Sequence, residues 1–116
     1  MLTENRWIVE EGIMAETFPH FWPWRDGDRF GFEGYLQLKG KRPYEVVIEG
    51  SFRGYPSQEP VVFIHPRPEN HHWIPVNIPL EQRHLCYQRE ENPWQPARST
   101  FASCLAVAVS YLRDFG

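Results

Sequence analysis

The sequence predicts an α+β domain, a four-stranded antiparallel meander covered by a C-terminal helix, with a short helix ahead of the strands. Three observations lead there. Two stretches alternate with a period of two, Phe30 to Leu38 and Tyr44 to Glu49, and a Gly-containing turn separates them. Near the C-terminus the spacing becomes helical, with Phe101, Leu105, Ala108 and Leu112 on one stripe. Eleven prolines in 116 residues disfavour a helical bundle and favour strands, turns and irregular segments.

Taken in order, Thr3 is a candidate N-cap for a helix to Ala15. Its capping-box position holds Arg6, and Trp7, Ile8, Glu11 and Met14 make no clean apolar stripe. Phe18 to Trp24 is aromatic and interrupted by proline, which suits an edge strand. Asp26-Gly27-Asp28 then reads as a hairpin turn. In the next strand Phe30, Phe32, Leu36 and Leu38 share one face, opposite Glu33, Tyr35 and Gln37. Lys39-Gly40-Lys41-Arg42 is a second turn, and Tyr44, Val46 and Ile48 alternate with Glu45, Val47 and Glu49 in a third strand. The run from Gly54 to Pro60 carries two prolines and breaks the pattern before a short fourth strand, Val61 to Ile64. Strands joined by short turns form a meander with one face to cover. The helix from Phe101 to Leu112, capped by Ser99 or Thr100, is the natural cover.

A chain of this length is expected to make one domain, residues 1–116. The net charge of −3 and the absence of a Lys/Arg block speak against nucleic acid or an anionic membrane as partner. No apolar run reaches bilayer length and no signal-peptide pattern is present, so a cytoplasmic location is expected. Two cysteines in dissimilar settings do not make a disulfide framework, so both thiols are expected to be reduced.

Between His65 and Arg98 no periodicity holds, and Pro66, Pro68, Pro75, Pro79 and Pro93 fall in this stretch. Long irregular segments in small domains are usually functional. It contains Arg83-His84-Leu85-Cys86-Tyr87-Gln88, a thiol in polar surroundings. Free cysteines are often buried and inert, and Cys104, inside the apolar helical stripe, fits that description. Cys86 instead fits a nucleophile held at a surface. Trp94 reads as a structural anchor, and Pro56 and Pro60 as shaping the entry to the fourth strand. His84, two residues before Cys86, would share its side of an extended segment and serve as base or donor, or be an ordinary surface histidine. His71, His72, His84 and Cys86 lack the paired spacings of a zinc site, and no metal or other cofactor is expected. Glu90 and Glu91 read as a solvated acidic rim.

The Tyr55-Pro56 to Phe63 segment, the Leu85-Cys86 dipeptide and Trp94-Gln95-Pro96-Ala97 are three landmarks that together resemble the ubiquitin-conjugating-enzyme family. Tyr55-Pro56-Ser57-Gln58-Glu59-Pro60-Val61-Val62-Phe63 resembles the family's Tyr-Pro…Pro-x-Val-x-Phe segment. Leu85-Cys86 resembles its Ile/Leu-Cys active-site dipeptide, and Trp94-Gln95-Pro96-Ala97 its Trp-Ser-Pro-Ala, eight residues after the cysteine. The likeness spans roughly residues 18–115. It implies that Cys86 accepts, from an activating enzyme, the C-terminal acyl group of a ubiquitin-like or other protein as a thioester. It implies that the group then passes to an amine.

The family's His-Pro-Asn motif, whose Asn stabilises the oxyanion, is missing. Ile78 stands eight residues before Cys86, with Asn77 one place off as the candidate donor, while His65-Pro66-Arg67 is too far upstream. A single helical pattern follows the motif. Such trimming resembles conjugating-enzyme-like proteins of bacterial operons, including antiphage defence systems in which a nucleotide-second-messenger synthase is modified. Such a synthase is therefore an expected acceptor. Two other readings stay open: a catalytically silent relative that binds a partner through its aromatic-rich face, and a thiol hydrolase pairing Cys86 with His84, His71 or His72.

Overall fold

The computed structural model describes residues 1–65 and 94–115. The first helix, α1, runs Glu4–Thr17. Thr3 caps it as expected, its Oγ1 accepting from the Arg6 N–H at 3.1 Å. The helix continues two residues past the expected end at Ala15 and closes where the Phe18 N–H donates to the Met14 carbonyl at 2.8 Å. Gly12 lies on its exposed side and weakens helix propensity without disturbing packing. Glu10 and Met14 are the buried residues of α1, so the missing apolar stripe has a physical cause: a carboxylate occupies a core position.

The first strand, β1, is Trp22–Asp26 and lies at the sheet edge. The expected strand from Phe18 is therefore displaced toward the C-terminus. Phe18 to Phe21 forms a turn instead, with the Phe21 N–H on the Phe18 carbonyl at 3.1 Å and the two rings 5.9 Å apart. Those aromatics pack against the core as loop residues, which explains the run without a strand. Gly27, at φ 61°, opens the two-residue turn between Asp26 and Arg29, and Asp28 stays at negative φ, as a type II′ hairpin requires.

Strands β2 (Arg29–Leu36), β3 (Tyr44–Ser51) and β4 (Val61–His65) follow in a sheet of order β1-β2-β3-β4, each pair antiparallel. The register aligns Phe32, Ile48 and Val62 in one row across the sheet, all fully buried or nearly so. Phe30 faces Gly50 in the neighbouring row. A side chain at Gly50 would press on the rings of Phe30 and Phe101, at 3.2 and 3.3 Å, so this glycine makes room for the cover.

The second helix, α2, runs Phe101–Phe115. Thr100 and Ser103 cap it reciprocally: the Ser103 N–H donates to Thr100 Oγ1 at 3.0 Å and the Thr100 N–H to Ser103 Oγ at 2.7 Å. Phe101, Cys104, Leu105, Ala108, Tyr111 and Leu112 are buried, which bears out the helical stripe and the core reading of Cys104. Both helices cover the same sheet face. Trp7 of α1 and Phe101 of α2 each pack on Phe30 and Phe32, with centroids 5.2 to 5.4 Å apart. Among the described residues no helix is long and apolar enough to cross a membrane.

Candidate functional site

Cys86, His84 and Asn77, together with His71, His72, Glu90 and Glu91, lie outside the described residues. What the structure describes is the frame on either side of them. Its centre is Glu10, fully buried on the inner face of α1. Isolated carboxylates are not tolerated in such a place, so its partners decide what it does.

Arg6, one helical turn earlier, donates from Nε to Glu10 Oε2 at 3.1 Å. The Tyr55 hydroxyl donates to the same oxygen. The other oxygen, Oε1, accepts the Phe101 backbone N–H at 3.0 Å. Phe101 begins α2, so a carboxylate from α1 meets the positive end of the second helix and satisfies one of its free amides. Arg6 extends the arrangement: its guanidinium donates to the Pro96 carbonyl at 3.0 Å and to the Ser99 carbonyl at 2.7 Å. One ion pair thus grips α1, the loop after β3, the turn before α2 and the start of α2.

The Tyr55 ring is buried among Phe30, Phe101 and Trp94, at 5.5, 4.8 and 5.8 Å. Burial raises the phenol's pKa well above its ordinary value, and the adjacent Glu10 charge raises it further. For Arg6 burial acts against the charged form, but the contacts with Tyr55 and Glu10 outweigh it and raise its pKa. Both groups therefore keep their protons throughout the neutral range.

The two landmarks on either side of Cys86 in the sequence meet here. Tyr55-Pro56 is joined by a cis peptide bond, and the Pro56 carbonyl accepts the Trp94 indole N–H at 2.7 Å. Trp94-Gln95-Pro96-Ala97 then leads into a tight turn, in which the Ser99 N–H reaches the Gln95 carbonyl at 2.7 Å and Ser99 Oγ accepts the Gln95 N–H at 2.9 Å. Trp94 is an anchor, as its composition and context predict, and Pro60 is buried at the entry to β4.

Glu10 and the part Arg6 plays are not evident from the sequence alone. Their i,i+4 spacing was the available signal, but such pairs normally lie on a solvated face. Among the described residues no group of three or more His, Cys, Asp or Glu side chains could hold a metal ion. Compared with known proteins, the chain finds no match among family models, curated proteins or solved structures.

Proposed function

We propose that the protein is a ubiquitin-conjugating-enzyme-like acyl carrier with Cys86 as nucleophile. The Cys86 thiolate attacks the carbonyl carbon of a donor protein's C-terminus, held as a thioester on an activating enzyme, and that enzyme's thiolate leaves. An acceptor amine then attacks the new thioester, loses a proton and expels the Cys86 thiolate. An ordinary thiol, of pKa about 8.5, is only slightly ionised at neutral pH but reacts strongly as thiolate. Asn77, His84 and backbone amides near Cys86 are the candidate donors to the oxyanion, one good donor contributing about 3 kcal/mol. The donor is a ubiquitin-like or other protein, and we place the reaction in a cytoplasmic bacterial antiphage setting, with a nucleotide-second-messenger synthase among the acceptors.

The observation that carries this reading is the contact between Trp94 and Pro56. It supports a common frame for two motifs lying 38 residues apart, with Cys86 between them in sequence. The α+β order of helix, four-stranded meander and helix supports it as well.

The test is to incubate the protein with ATP, a candidate activating enzyme and that enzyme's acyl donor. A thiol-sensitive adduct that Cys86→Ala abolishes is the expected result. No adduct, with partner binding unchanged in Cys86→Ala, favours the catalytically silent relative. Hydrolysis that depends on His84, His71 or His72 favours the thiol hydrolase.

A further inference from the structure

A cavity of about 460 Å³ opens between the N-terminal part of α1 and β1. Trp7, Trp24 and Phe52 contribute its walls, and Glu4, Glu11 and Arg25 its charges. Trp7 is fixed in place by an edge contact with Phe30 at 5.3 Å and a stacked contact with Phe32 at 5.2 Å. The Arg25 guanidinium is already engaged, lying 4.0 Å over the Phe52 ring. The two carboxylates are not. Among the described residues neither Glu4 nor Glu11 has an ion-pair partner.

Glu4, Trp7 and Glu11 follow i, i+3, i+7 spacing, which puts them on one face of α1. Seven residues of helical rise separate the Glu4 and Glu11 backbone positions by about 10 Å along the axis, with Trp7 one turn after Glu4 and one turn before Glu11. An electron-rich indole face between two negative charges attracts a cation, and the apolar walls suit an alkyl stem. An anionic ligand would meet two carboxylates for the one guanidinium, which Phe52 already holds.

We propose that this cavity receives a basic side chain, lysine or arginine, from a segment of a partner protein. The alkyl stem lies against Trp7 and Trp24, and the charge sits between Glu4 and Glu11. This inference does not depend on the chemistry proposed for Cys86.

The probes are Nα-acetyl-lysine N-methylamide and its norleucine counterpart, which keeps the stem and lacks the ammonium. Binding is followed through the indole N–H resonances of the full chain, with those of Trp7 and Trp24 assigned by Trp7→Phe and Trp24→Phe. The lysine probe is expected to shift both resonances saturably, in the millimolar range appropriate to a single side chain. The norleucine probe should bind at least about fivefold more weakly. Glu4→Gln with Glu11→Gln should weaken the lysine probe about fivefold or more and leave the norleucine probe unchanged. Neither glutamate packs in the core, so the double variant should fold, as its unchanged remaining spectrum would show. Equal binding of the two probes would overturn the proposal, reducing the cavity to an apolar hole. So would equal lysine binding in the double variant, or no shift of either resonance at saturating probe.

Discussion

Glu10→Ala tests the latch that joins both helices to the loops. The Glu10 carboxylate accepts from Arg6, from the Tyr55 hydroxyl and from the Phe101 N–H, and it is fully buried. Truncation leaves the Tyr55 hydroxyl and the Phe101 amide without that acceptor, at about 1–3 kcal/mol for each buried group left unpaired. Arg6 suffers less, because it keeps the Pro96 and Ser99 carbonyls. Breaking one side of a buried ion pair typically costs about 3–5 kcal/mol, in line with that sum. For a chain of this size such a loss lowers the melting temperature by about 12–20 °C. Glu10→Gln keeps the volume and one good acceptor, and should lose about half as much. Urea unfolding of the wild type, Arg6→Ala, Glu10→Ala and the double variant gives the coupling energy, expected at about 1–3 kcal/mol. A loss below about 1 kcal/mol for Glu10→Ala, against the 3–5 typical of broken buried pairs, would refute the reasoning. Strict additivity of the two single variants would refute it too.

The raised pKa of Tyr55 carries a pH prediction whose sign is fixed. The unfolded phenol ionises near pH 10 while the folded one keeps its proton, so this contribution is complete below about pH 10 and falls above it. The slope approaches about 1.4 kcal/mol per pH unit; Tyr55→Phe lacks it, so it should remain in the difference between the wild-type and variant stability-against-pH curves. Trp94→Phe keeps an aromatic ring but loses the N–H to the Pro56 carbonyl, and should cost about 1–2 kcal/mol in urea unfolding. Cys104 is 2% exposed, so in Cys86→Ala the remaining thiol should resist a thiol reagent until denaturant is added.

How much of this could be read in advance depended on which physical rule governed each position. The central strands were legible because Phe30, Phe32, Tyr44, Val46 and Ile48 obey the alternation that burial on one face imposes. The C-terminal helix was legible for the same reason, and its cap at Thr100 was among the two predicted. The first strand begins at Trp22 and not at Phe18 because Phe18 and Phe21 are aromatic for core packing, and residue type alone does not separate a loop aromatic from a strand aromatic. Glu10 was invisible because its burial depends on Tyr55 and Phe101, which are 45 and 91 residues away. Of the candidate site, the meeting of the Tyr-Pro and Trp-Gln-Pro-Ala motifs is seen in the Trp94–Pro56 bond, and the residues the sequence nominated for chemistry fall outside the described part.

Intact-mass spectrometry of the protein after incubation with a candidate activating enzyme, that enzyme's acyl donor and ATP tests the proposed thioester chemistry at Cys86 most directly. The expected species has the summed mass of carrier and donor less one water. It should form equally in Cys104→Ala, be absent in Cys86→Ala, and revert to free carrier with dithiothreitol. An adduct that survives in Cys86→Ala, or one that resists dithiothreitol, would contradict that chemistry.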